Sequence, residues 1–254
     1  MKKIQKYLMP FLTLCIVLVI WEASVHIFDI SLYLLPPPSQ IFLALVENRD
    51  VLWMHSLVTL QEAIIGLVCA TLLASVIAIL MDMSPLFKHG LFPHLVVTQT
   101  VPVMILGPLF TIWLGFGMAP KILMVIFMCF FPIAISFCDA LGRVDQNQIH
   151  LLKTLGATRW QIYRYVKIPA AAQSLISGLK VSATYCIGGA IVGEWLSASA
   201  GLGYYMIRVK NGYMLDKVFA CVIVIIMWSL LFHAVVSCIE WISFPYKRKK
   251  RGNE

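Results

Sequence analysis

Charged residues are scarce in this 254-residue chain. Asp, Glu, Lys and Arg make up 13% of it, where a soluble domain carries about 25%. No Gly-x-x-x-x-Gly-Lys-Ser/Thr stretch occurs, nor any Gly-Lys pair. The chain therefore lacks the backbone cradle that holds the phosphates of ATP. His-Glu-x-x-His and Gly-x-Ser-x-Gly are also missing, which removes the commonest hydrolase signatures and leaves no catalytic residue to assign. The seven cysteines lie in apolar stretches without Cys-x-x-Cys or metal-ligand spacing. They read as packing residues, with no disulfide, metal or cofactor expected. Neither an internal repeat nor a low-complexity linker is visible, so a single domain over residues 1–254 is expected.

What the chain has in excess is apolar length. Hydrophobic residues are 60% of it, and a helix needs about 20 largely apolar residues to cross a bilayer. Six segments qualify: 8–28, 57–83, 91–119, 122–141, 175–196 and 218–239. The expected fold class is all-α, a polytopic membrane protein with six spans. Met1-Lys2-Lys3 before the first run imitates a signal peptide. No small-x-small cleavage site follows at the right distance, so a first span is predicted instead. Pro93, Pro102, Gly107 and Pro108 predict a kinked or interrupted third span. Pro132 is expected to bend the fourth. After Leu35-Pro36-Pro37-Pro38, Ser39 is predicted to cap a short surface helix over 41–47.

The net charge of +8 raises nucleic acid as a partner, but the distribution argues against it. The basic residues gather at span edges, where they act as orientation signals. With the N-terminus inside, the inner segments hold Lys2, Lys3, Lys6, Lys88, Arg143, Lys153, Arg159, Arg164, Lys167 and the five of 247–251. The outer segments hold Arg49, Lys121, Arg208, Lys210 and Lys217. Fourteen against five predicts both termini in the cytoplasm of a cell-membrane protein.

The longest polar interruption reads DQNQIHLLKTLGATRWQIYRYVKIP, from Asp145 to Pro169. Asp145 with Gln148, and Thr158 with Gln161, have capping-box spacing. Gly156 stands where a helix ends in a left-handed residue, and Pro169 is expected to stop the second segment. Two helices are predicted, about 147–155 and 159–167, joined at Gly156-Ala157-Thr158. Ile149, Leu152 and Leu155 fall on one face of the first. Trp160, Tyr163 and Lys167 fall on one face of the second. A capped aromatic and basic hairpin between spans reads as a docking element for another protein.

Here the chain resembles the transmembrane permease subunits of ATP-binding-cassette importers. Their cytoplasmic loop runs Glu-Ala-Ala, three residues, Gly, nine residues, Ile-x-Leu-Pro. Gly156 and Val166-Lys167-Ile168-Pro169 match that spacing, while His150, Leu151 and Leu152 replace Glu-Ala-Ala. LGATRWQIYRYVKIP with SGLK, and Ser199-Ala200-Gly201-Leu202-Gly203, resemble the nitrate, sulfonate and taurine branch. Together these cover roughly residues 30–245.

The resemblance implies a type I importer architecture with a coupling loop at about 142–174. Leu152, Leu155, Gly156, Ala157, Trp160, Tyr163 and Pro169 would meet a cytoplasmic ATPase subunit, which supplies the ATP hydrolysis. A second permease copy and an extracytoplasmic binding protein are the other implied partners, beside membrane lipid. Trp53-Met54-His55, Thr98-Gln99-Thr100, Cys129-Phe130-Phe131-Pro132, Ala183-Thr184-Tyr185 and Gly193-Glu194-Trp195-Leu196 resemble permeases for the thiamine-precursor pyrimidine. Sulfonate, taurine, nitrate and riboflavin are the alternatives.

The substrate-path candidates are Thr98, Gln99 and Thr100 in the broken span, and Glu194 near the end of the fifth. An acid inside a membrane is a functional candidate by default; a structural acid at the interface is the other reading. Lys180 is expected to snorkel toward lipid phosphates. Asp82 and Asp139 are expected to end their spans, and Glu62 to lie at the interface. His233 reads as a bonded core histidine. A secondary transporter needs no ATPase, so the capped hairpin speaks against one. A membrane-embedded enzyme would show a catalytic constellation, and none is visible. The topology can be tested with reporters active only outside the membrane, fused at Leu45, His150 and Lys210. Activity is expected at the first and last and silence at His150; the reverse pattern would overturn the orientation.

Overall fold

The computed structural model describes residues 2–244. The basic cluster at 247–251 lies outside them. Eleven helices follow one another, with no strand among the described residues. Five are long and apolar enough to cross a membrane: α1 (Lys2–Ile27), α3 (Arg49–Met83), α6 (Met118–Gly142), α9 (Ile168–Ser197) and α11 (Leu215–Ser243). A sixth candidate is a bent pair of shorter helices. Helices α4 (Pro85–Thr98) and α5 (Val103–Leu114) meet at 105°. The predicted interruption is therefore a sharp corner at residues 99–102, immediately before Pro102, which has no N–H to continue a helix.

The short elements are α2 (Pro38–Glu47), α7 (Gln146–Thr154), α8 (Arg159–Ile162) and α10 (Leu202–Asn211). The cap expected at Ser39 is not formed. Pro37 is the N-cap of α2, and the Ser39 N–H and hydroxyl both donate to the Glu22 carboxylate of α1, at 3.1 and 2.7 Å. A rigid Pro37-Pro38 entry leaves no place for a hydroxyl cap, so the carboxylate of another helix serves instead. Residues 202–211 form a full helix. Leu202, Tyr205 and Val209 bury one side of it against Ala44, Leu52, Ala220 and Cys221.

The packing centre is α9 against α6, with α3 alongside. Lipid tails are as apolar as leucine, so close packing rather than the hydrophobic effect holds membrane helices together. The contact faces are accordingly built from small residues. Ala63, Ala70, Ala74 and Ala78 of α3 are completely buried. On α9 the row is Gly178, Ser182, Cys186, Gly189 and Gly193. A Cβ on Gly178 would stand 2.7 Å from the Pro132 carbonyl and 2.9 Å from Ile133 Cα. Ser182 Oγ donates to the Cys129 carbonyl at 2.7 Å across the same contact. Cys129, Cys138, Cys186 and Cys221 are buried free thiols, while Cys69 and Cys238 are exposed.

Large side chains clothe the outside. Most of α1 and much of α11 present exposed Leu, Ile, Val and Trp. Gly178→Val should force α9 away from α6 and cost about 1–3 kcal/mol, as overpacking does. Gly188→Ala, where nothing lies within 4 Å of the added carbon, should be silent. Thermal unfolding in detergent distinguishes them, and equal melting temperatures would contradict the packing described.

Candidate functional site

Two polar clusters lie at opposite ends of α9. Its 30 residues span about 45 Å at 1.5 Å per residue.

The first cluster is the helical hairpin. Asp145 caps α7 by accepting from the Asn147 N–H at 2.9 Å, without the reciprocal Gln148 bond of a capping box. Thr158 and Gln161 do form the reciprocal box. Gly156 has φ of +80°. Its N–H reaches the Lys153 carbonyl and the Ala157 N–H the Leu152 carbonyl, each at 3.0 Å, the pair of bonds that closes a helix on a left-handed residue. Pro169 does not stop the second helix. The chain passes from α8 through a π turn (Tyr163–Lys167) directly into α9, with Pro169 in the first turn. A wider turn sheds backbone bonds that a proline would otherwise block, and such turns gather at functional places.

The predicted faces divide. Ile149 and Ile162 are buried with Val144, and Leu152, Ala157 and Val166 pack against them. Leu155 and Trp160 remain 74% and 65% exposed, with Leu151 beside them. Tyr163 and Lys167 turn inward. The Tyr163 hydroxyl donates to Asp82 at the end of α3, and Lys167 Nζ pairs with the same oxygen at 2.6 Å. Asp82 is thus more than a span terminator. Lys180 does not snorkel: its ammonium pairs with Glu240 of α11.

The second cluster is buried where α9 meets α10. Thr59 donates to Glu194 Oε1 at 2.6 Å and accepts the Leu202 N–H at 2.8 Å. Gly203 N–H donates to Glu194 Oε2 at 2.5 Å. The Gly201 N–H donates to His55 Nδ1 at 3.1 Å. The first amides of α10 are thus satisfied by side chains of α3 and α9, and the carboxylate meets the positive end of that helix. Gly201 holds φ of +114°, and any side chain there would overlap the Glu194 carboxylate.

One turn along α3, Glu62 is fully buried and pairs with Lys121 Nζ at 2.6 Å. Both side chains are thus held inside the helix bundle, the Lys121 side chain 7% exposed and that of Glu62 0%. A cavity of 590 Å³ opens here, lined among others by Phe116, Lys121, Glu194, Trp195, Ser199 and Tyr204. Among the described residues no group of His, Cys, Asp and Glu is arranged to hold a metal.

Thr98, Gln99 and Thr100 sit at the corner between α4 and α5. The two threonine hydroxyls donate to their own helix, to the Leu95 and Val97 carbonyls at 2.8 and 2.7 Å. They satisfy acceptors that the broken helix leaves open, and Gln99 is exposed. The Glu194 carboxylate is occupied by Thr59 and Gly203 instead. His233 is exposed and lies 3.5 Å from the Thr184 hydroxyl, rather than in the core.

Residues 64–240 match the family model described as binding-protein-dependent transport system inner membrane component. The chain belongs to this family. The permease is 31% identical over 251 residues to the formylaminopyrimidine transport permease protein ThiX of Halalkalibacterium halodurans, covering 98% of this chain and all of that one. It is 32% identical to a probable ABC transporter permease protein of Haemophilus influenzae, over 93% of this chain and 96% of the other. An amino acid ABC transporter crystallised with histidines shares the fold, with a TM-score of 0.63 at 20% identity, over 78% of this chain and 97% of that chain. The protein is thus the membrane component of an ABC importer, not itself an enzyme, with ATP hydrolysis in a separate subunit.

The permease's Glu62–Lys121 pair was missed by reading the sequence alone. The available signal was Glu62 itself, an acid in a long apolar run, which needs a partner in the membrane. Lys121→Met should strand Glu62 and cost about 3–5 kcal/mol, as breaking a buried pair does. Adding Glu62→Gln should restore much of that loss. Unfolding temperatures of the single and double variants check it, and a single variant as stable as the parent would show that the pair is not formed.

Proposed function

We propose that this permease imports a thiamine-precursor pyrimidine, 4-amino-5-hydroxymethyl-2-methylpyrimidine or a formylamino relative. The observation that carries this reading is charge neutralisation. Lys121, Lys167 and Lys180 are each paired with a carboxylate from another helix. A sulfonate or nitrate carrier needs uncommitted positive charge along its path, whereas a neutral ring needs hydrogen bonds and aromatic surface. The similarity to a formylaminopyrimidine permease over the full chain supports the same substrate class.

In this reading the chain acts as one transmembrane domain with both termini in the cytoplasm. The corner at Thr98-Gln99-Thr100 lines the path, because irregular backbone at membrane depth is tolerated only against protein or a water-filled cavity. A second copy of the chain covers it. An ATPase subunit docks on the hairpin through the exposed Leu155, Trp160 and Leu151, with Gly156, Ala157, Leu152 and Pro169 setting the shape beneath. A binding protein delivers substrate at the opposite face.

Uptake tests this directly. A strain that cannot make the pyrimidine but salvages it should lose growth on limiting pyrimidine when the chain is deleted. Gly156→Val should accumulate normally, since nothing crowds that position and a left-handed residue costs only about 1–2 kcal/mol. It should nevertheless fail to restore growth or to hold the ATPase. Unchanged growth of the deletion strain, with taurine or riboflavin uptake lost instead, would overturn the substrate. Full association by Gly156→Val would reduce the hairpin to a connecting loop.

A further inference from the structure

We infer that Asp82 is a positioning residue that carries the movement of the hairpin into α3 and, along α3, to the α10 end of the bundle. The inference rests on the reading of the hairpin as the ATPase dock, and adds a residue outside the hairpin to it.

The geometry is specific. One oxygen of Asp82 takes both the Tyr163 hydroxyl and the Lys167 ammonium, the latter at 2.6 Å. Lys167 also lies 5.1 Å from the centre of the Tyr163 ring. The side chains of Lys167 and Asp82 are only 14% and 7% exposed. Tyr163 and Lys167 are the first and last residues of the π turn. The clamp therefore grips both ends of the irregular segment between hairpin and span. Without it, that turn would be free to bend, and hairpin motion would be absorbed there.

The far end of α3 is gripped as well. Thr59 lies 23 residues from Asp82, about 35 Å along the helix. It bonds both Glu194 of α9 and the first amide of α10. Between these points Ala63, Ala70, Ala74 and Ala78 are fully buried, so α3 is packed against its neighbours along its length. Hairpin, α3, α9 and the start of α10 are thus tied at both ends and behave as one lever. The broken α4–α5 span, cornered at 105°, lies outside these ties.

The test uses the permease bound to its ATPase subunit in lipid nanodiscs, and needs no substrate. Cys15, Cys69 and Cys238 are replaced by alanine, and Ser199→Cys places a thiol in the cavity beside α10. Labelling by a membrane-impermeant maleimide is timed with and without ATP plus vanadate. The parent should change its labelling rate on adding nucleotide. Asp82→Asn should keep the ATPase bound and hydrolysing, yet shrink that change at least about tenfold, because the acceptor of both bonds loses its charge and the Lys167 ammonium its counter-ion. Lys167→Arg should preserve the response and Tyr163→Phe weaken it. If Asp82→Asn fails to accumulate, the Tyr163→Phe and Lys167→Arg pair decides the matter.

An undiminished response in Asp82→Asn, or equal responses in Tyr163→Phe, Lys167→Arg and the parent, would overturn the positioning role. A parent chain that binds the ATPase without any change of labelling would overturn the inference that hairpin movement reaches the α10 end, and one that never binds the ATPase would overturn the docking reading and this inference with it.

Discussion

The closeness of α9 to α6 is the constraint on which the rest of the structure depends. It exists because Gly178, Ser182, Cys186, Gly189 and Gly193 offer almost no side chain along one stripe. Gly178 lies against backbone, and Gly193 would place a Cβ 2.9 Å from Lys121 Cα. At that separation dispersion forces act over many atom pairs, which is the chief attraction available inside lipid. The same closeness carries the ammonium of Lys121 into the packed interior, where only a carboxylate makes it tolerable. The Glu62 pairing follows from the small-residue stripe.

Among the described residues, three lysines are paired with carboxylates of other helices. Lys121 joins α6 to α3, Lys167 joins the π turn to α3, and Lys180 joins α9 to α11. Truncating one member of such a pair leaves a buried charge uncompensated, so the pairs specify which helices may be neighbours and in what rotation. Glu194 does the same work with neutral partners. Its two oxygens hold a hydroxyl and an amide, and so fix where α10 begins.

Much of the hairpin was legible in the sequence because its chemistry is local. The Thr158–Gln161 box and the left-handed Gly156 are formed by residues within a few positions of each other. The stop at Pro169 failed for a reason that is not local. A proline is compatible with the first turn of a helix, and α9 begins there because it packs on α6 immediately afterwards. The Glu22 cap of α2 escaped prediction for a similar reason: the acceptor comes from 17 residues away.

Composition and periodicity by themselves determined the membrane class, the six apolar segments, the broken third span and the capped hairpin. Each follows from residue type or from spacing of four or fewer, which the chain carries wherever it is placed. Only the tertiary structure decided the partners of the polar residues. Glu62, Asp82, Lys121, Lys180 and Glu194 each sit in apolar or boundary stretches whose flanks are uninformative. Their roles depend on which helix lies opposite, at separations of 59 to 135 residues for Glu62–Lys121 and Thr59–Glu194. Linear spacing cannot report that, because helix rotation and neighbour choice are settled by the packing of small residues across the whole bundle.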